Sequence, residues 1–220
     1  PAFGYFSGGN DYGSGRTTIT SRINFSNDAF VPLQKGGLPT QTIQLGATGN
    51  KNFGYYSGGG TPAVPSGVSH TNRLDYSNDT SLLSPKGNLT ASKYNLKATG
   101  SQSFGYFSGG GVHPNFISSV DRLDYSSDTT AMAPKGPLSA DHYAAGATGN
   151  SNFGYVGGGA PGDSTVSRID YSNDTQVAPA KGPLASPRFK ICATGDANFG
   201  YFMGGQGTNS IIERVDYSND

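Results

Sequence analysis

The chain has 220 residues with 15 Lys and Arg against 15 Asp and Glu, and a formal net charge of zero leaves no electrostatic footprint for nucleic acid or an anionic membrane. Its 34 Gly, 13 Tyr and 12 Phe, with no Trp and a lone Glu at Glu213, are too poor in helix formers for a bundle, too irregularly spaced for collagen and too aromatic for disorder. A single Cys192 cannot close an intrachain disulfide, and no apolar run approaches the roughly 18 residues of a membrane span.

Along the chain, Phe-Gly-Tyr begins at Phe3, Phe53, Phe104, Phe153 and Phe199. An Arg-Ile/Leu/Val-Asp/Asn-Tyr/Phe-Ser marker follows at Arg22, Arg73, Arg122, Arg168 and Arg214, then Lys-Gly at Lys35, Lys86, Lys135 and Lys181, then Ala-Thr-Gly centred on Thr48, Thr99, Thr148 and Thr194. The unit is about 46 to 51 residues long, which divides the chain into repeats 1–52, 53–103, 104–152 and 153–198 and a partial one at 199–220. Short runs bounded by Gly, Pro, Asn or Ser predict strands at Phe53 to Ser57, Asn72 to Tyr76, Leu82 to Ser84 and Tyr94 to Thr99. Four short strands per unit of this period specify an all-β fold, a β-propeller of four-stranded antiparallel blades within one domain spanning 1–220.

A strand ending in Phe-Ser-Gly-Gly (Phe107 to Gly110), the following Val-Asp-Arg-Leu-Asp-Tyr (Val120 to Tyr125) and a Pro-Leu-Ser segment resemble a Kelch-type propeller repeat over the whole chain. The chain departs from that pattern in lacking the fourth-strand Trp. The wording Phe-Gly-Tyr-Phe-Ser-Gly-Gly, Arg-Ile-Asp-Tyr-Ser-Asn-Asp-Thr and Lys-Gly-Pro-Leu also resembles repeats in structural or tail-fibre proteins of marine bacteriophages. This second resemblance implies a virion appendage that contacts a host surface.

Strand positions two apart share a face, so Phe53 and Tyr55 point one way and Gly54 and Tyr56 the other. Both faces are apolar, as a blade between two neighbours requires, and the Gly is expected to let an aromatic of the next blade approach. The double Gly that follows ends the strand in a tight turn. Arg73 and Asp75 share a face, and the pattern recurs at Arg122 and Asp124, Arg168 and Asp170, and Arg214 and Asp216, with Asn24 beside Arg22. These residues are expected to form an inter-blade charge ladder. The Asp75 to Thr80 stretch reads as a hairpin turn, with a calcium loop as the rival. Gly46, Lys97, Gly146 and Cys192 fall at the crowded axis, with Cys192 read as a small buried filler and Lys97 as reaching either channel solvent or an acid.

Length varies between the double Gly and the Arg, where insertions form loops on one face of a repeat fold. That connection supplies the ligand-binding candidates Asp11, Tyr12, Arg16, His70, His113, Asn115, Phe116, Asp163 and Asn209. Polar and aromatic groups together suit a glycan or a protein. His70, His113 and His142 fall in two different segments, Cys192 lies apart from them, and no nucleophile elbow is present. The expectation is a non-catalytic binding or structural propeller with no cofactor, soluble and virion-borne or extracellular, contacting host-surface glycan or protein. An intracellular protein-interaction propeller and a copper oxidase on a Kelch scaffold are the rivals. The pattern predicts 18 strands, against 20 for a closed ring of five blades, so further blades, another subunit or imperfect closure completes it.

Overall fold

The structure is a computed structural model that describes residues 2–11, 13, 15–27, 31–160, 162–206 and 210–220, with Asp11 described for its backbone alone. The chain is a β-propeller of five blades. Blades two to four are four-stranded antiparallel sheets: Gly46–Gly49, Phe53–Ser57, Thr71–Asp75 and Ser84–Lys86; Lys97–Gly100, Phe104–Ser108, Val120–Asp124 and Ala133–Lys135; Gly146–Gly149, Phe153–Gly159, Asp163–Asp170 and Ala180–Lys181. Blade one has three strands, Phe3–Ser7, Thr20–Asn24 and Leu33–Lys35, and so does blade five, Cys192–Gly195, Phe199–Met203 and Ile212–Asp216. Each inner strand comes from the Ala-Thr-Gly that closes the preceding sequence repeat, so blades and repeats are offset by one strand.

Three strands are bounded differently from the pattern reading, the first being the inner strand of blade three, which starts at Lys97 and leaves Tyr94 in an isolated bridge to Gly111. The outer strand of blade two is Ser84–Lys86 and contains Pro85, opposite Asn72. Proline is tolerated there because an outermost strand need not donate on its free side. Tyr76 leaves the third strand to start a 3-10 turn, Tyr76–Asn78, capped by Asp75.

Packing lies between blades. Tyr55, Leu89, Leu96, Phe107, Leu123 and Met132 form one buried cluster, and Tyr106, Val120, Leu138, Ala145, Val156 and Ile169 another. The second-strand Tyr of each of the first four blades stacks on the Tyr just after the third strand of the next: Tyr5 on Tyr76, Tyr55 on Tyr125, Tyr106 on Tyr171 and Tyr155 on Tyr217, with centroids 4.7 to 4.9 Å apart. The Phe-Gly-Tyr glycine serves a different contact from the one expected. A Cβ at Gly105 would lie 2.8 Å from Thr48 of the preceding blade and 2.8 Å from Tyr125 of its own. It is therefore a threonine of the blade before, not an aromatic of the blade after, that approaches this backbone.

The double glycines lie at positive φ, for example 68° and 89° at Gly58 and Gly59. There they turn the chain at no steric cost. In blades one to four the second of the pair also donates to the segment that leads to the next blade, as in Gly59 N to Lys93 O at 2.7 Å and Gly110 N to His142 O at 2.8 Å.

Candidate functional site

Every interface between consecutive blades is built on one carboxylate with three donors. Asp79 accepts from Tyr5 Oη at 2.9 Å and Arg22 Nη1 at 2.7 Å, with Lys35 Nζ at 3.2 Å. Asp128 gathers Tyr55, Arg73 and Lys86 in the same way, Asp174 gathers Tyr106, Arg122 and Lys135, and Asp220 gathers Tyr155, Arg168 and Lys181. Each Arg also lies over the first Phe of its blade, with the guanidinium 4.2 to 4.4 Å from the ring centroid in blades one to four. Burial opposes ionisation of Asp79, Asp128 and Asp174, but the hydrogen bonds and cations outweigh it and hold these carboxyls below the usual range.

The expected ladder is thus half corrected. Arg22, Arg73, Arg122 and Arg168 do bridge blades, whereas Asp75, Asp124, Asp170 and Asp216 do not. Asp75 Oδ1 accepts from Ser77 N at 2.9 Å and Ser77 Oγ at 2.7 Å, and the other three repeat this with Ser126, Ser172 and Ser218. A carboxylate two residues before a Ser finds a local partner first. Arg214 has its stacking partner Phe199 at 4.5 Å, and no ion pair of it occurs among the described residues. Within the calcium rival, Asp75 and Asp79 turn to different partners, one local and one across the interface. Cys192 is exposed rather than buried, because it starts the inner strand of the last described blade. Lys97 is half-buried, and burial pulls its ammonium below the usual range.

The variable connections all leave the sheets at the end where Ser57 faces Thr71 and Ser108 faces Val120. On that face each inter-blade connection bridges to the corner of the blade it enters, through Ile43 to Gly60, Tyr94 to Gly111, Tyr143 to Ala160 and Phe189 to Gln206. The residues that follow, Gln44, Asn95, Ala144 and Lys190, are left-handed at φ 53° to 60°. Their backbones form a chain from blade to blade, with Asn95 N donating to Gln44 O at 2.9 Å, Ala144 N to Asn95 O at 3.1 Å and Lys190 N to Ala144 O at 2.7 Å.

His113, Asn115 and Phe116 lie on one hairpin, Gly111–Val112 with Asn115–Phe116. His113 and Asn115 are exposed, and Phe116 stacks on Tyr143 at 4.5 Å, which in turn meets Tyr94 edge-on at 5.5 Å. Asn95 Nδ2 donates to Tyr143 Oη at 2.6 Å. His70 is exposed beside a cavity at blade two, and Arg16 is half-buried on a short hairpin of blade one that also carries the Asp11 backbone. Asp163 turns inward and accepts from Thr165 N at 2.8 Å. Tyr12 and Asn209 lie outside the described residues. The candidates of blade three therefore come together with two aromatic residues that were not singled out, while the others stay one to a blade. The signal for Tyr94 and Tyr143 was present: a large apolar residue recurs three positions before each inner strand, at Ile43, Tyr94, Tyr143 and Phe189.

His142 is buried, and both ring nitrogens are engaged. Nδ1 donates to Gly158 O at 2.6 Å, so Nε2 accepts from Ser167 Oγ at 2.9 Å. Burial lowers its pKa, which keeps the ring neutral. On the opposite face, inter-blade grooves of about 480 Å³ beside Phe3 and Phe53 and about 450 Å³ beside Phe104 and Phe153 recur as seams of the repeat. No protein-family description and no curated protein matches the chain. Among the described residues no helix is long and apolar enough to cross a membrane.

Proposed function

We propose that the chain is a non-catalytic recognition propeller of Kelch-like type, carried on a virion appendage or another extracellular surface, that contacts a host-surface glycan or protein through its loop-bearing face. The observation that carries this reading is the aromatic group Tyr94, Phe116 and Tyr143 beside the exposed His113 and Asn115. Aromatic faces next to polar tips suit sugar rings and protein side chains alike. The backbone chain through Gln44, Asn95, Ala144 and Lys190 holds that group on a rigid frame, which lowers the ordering cost of binding. The propeller fold alone does not specify a role, so the reading rests on the chemistry of the loops.

The test is a glycan microarray together with binding to intact host cells, using the wild-type chain and the double variant Y94A/F116A. Retention on a defined glycan or cell type, reduced at least tenfold in the variant, is the expected result. Absence of both, with capture of an intracellular protein partner instead, would overturn it in favour of an interaction propeller.

A further inference from the structure

In blades three, four and five a buried polar lock ties the third strand to the segment entering the blade. Asp121 pairs with Lys93 at 2.8 Å, both side chains being 1% exposed, and accepts from Thr90 N at 3.3 Å and Thr90 Oγ1 at 2.6 Å. Ser167 Oγ donates to His142 Nε2 and accepts from Ser139 N at 3.2 Å. Glu213 accepts from Ala185 N and from the buried Arg188. Each lock has the same three parts. They are a polar side chain just before the third-strand Arg that accepts from a backbone N–H, that N–H, and a long polar side chain three residues after it.

Blade two lacks the N–H and the long side chain, and carries a neutral amide in the first position. Its residues at these positions are Asn72, Pro39 and Thr42. Pro39 has no N–H to give. Thr42 is too short to reach across, and its hydroxyl donates to Thr40 O at 2.8 Å. Among the described residues the Asn72 side chain has no hydrogen-bond partner. Where Lys93, His142 and Arg188 fill the sister blades, blade two has a cavity of about 340 Å³ that also reaches His70, one of the variable-loop residues.

We propose that this cavity is a subsite for one neutral pyranose unit. Its lining contains no Asp, Glu, Lys or Arg, so a charged ligand would lose its hydration without gaining a counter-charge. Leu38, Leu45 and Tyr56 offer an apolar wall, and Asn72, Thr61 and Asn88 offer donors and acceptors. A sugar ring has one apolar C–H face and a rim of hydroxyls, which matches both. The cavity lies within the size range of small-molecule sites. This assignment rests on the glycan reading of the loop-bearing face and adds a defined subsite to it.

The test titrates the 220-residue chain with the methyl glycosides of glucose, galactose, mannose and N-acetylglucosamine, followed by saturation-transfer NMR. The variant P39T/T42K/N72D rebuilds the blade-three lock inside blade two, and Asn72→Ala keeps the cavity but removes the amide. Binding of at least one glycoside by the wild type is expected. The rebuilt variant should bind at least tenfold more weakly with an unchanged or higher Tm, and Asn72→Ala should also be weakened about tenfold. Equal binding by wild type and the rebuilt variant would overturn the subsite and leave the glycan reading standing. So would array binding by a wild type that takes none of the four glycosides. A wild type that binds no glycan in either format overturns both. If the rebuilt chain does not fold, Asn72→Ala decides, and undiminished binding by it refutes the subsite.

Discussion

Asp124 and Asp128 sit four residues apart in one turn and have unlike tasks. Asp124 closes that turn on Ser126, while Asp128 receives a Tyr, an Arg and a Lys from the blade before. Asp128→Ala strands two cations and a phenol at a partly buried seam, so a loss of about 2–4 kcal/mol is expected. Asp124→Ala removes a local cap and should cost about 1 kcal/mol. Urea denaturation of the two variants checks the ratio. The glycine after each bridging Lys gives a sharper contrast. A Cβ on Gly87 would lie 1.7 Å from Thr130 O and one on Gly136 1.8 Å from Gln176 O, whereas nothing lies within 4 Å of Gly182. Gly87→Ala should therefore destabilise by about 3 kcal/mol or more and Gly182→Ala by less than about 0.5 kcal/mol, read as Tm by calorimetry.

At the level of elements, the polar locks join segments that hydrophobic pattern alone leaves loose. Lys93 and Asp121 are within ion-pair distance without the alignment of a hydrogen bond, and burial drives the ammonium pKa down against the pull of the carboxylate. Removing one charge leaves the other buried and unpaired. Lys93→Met should cost about 3–5 kcal/mol, and the double variant K93M/D121L should recover most of it, because an apolar pair of similar volume avoids the desolvation of both ions. A double-mutant cycle in urea separates the two outcomes.

Across the whole molecule the inter-blade carboxylates set the acid limit. Asp79, Asp128 and Asp174 have folded pKa values below the unfolded value of about 3.9, so their stabilisation is complete above that value. It is lost as pH falls through the lower folded values. Chemical denaturation between pH 7 and pH 2 should show stability falling below about pH 4, with a shallower fall in Asp128→Asn. The outer blades matter at this scale too. Phe6 is 61% and Phe25 59% exposed on the free side of blade one, although Phe107, at the position of Phe6, is fully buried in blade three. Arg214 on blade five presents the side that grips a following blade elsewhere. The 220-residue chain should accordingly self-associate with rising concentration, and Phe6→Asp should reduce it in sedimentation velocity.

The repeat, the four strand types and the turns were readable from the residues because they depend on local pattern. Alternation puts Tyr55 and Tyr56 on opposite faces, paired glycines permit positive φ, and Asn, Asp and Ser close turns within a few residues. Two apolar faces per central strand already implied a blade between blades, and the arginines already stood out as seam residues. The choice of carboxylate was not readable, since Asp75 and Asp79 share one turn and only the placement of the neighbouring blade decides which meets Arg22. The cluster of Tyr94, Phe116 and Tyr143 and the polar locks were decided in the same way. The lock partners lie 25 to 31 residues apart, and what brings them together is the stacking of sheets, a distance in space that no local period encodes.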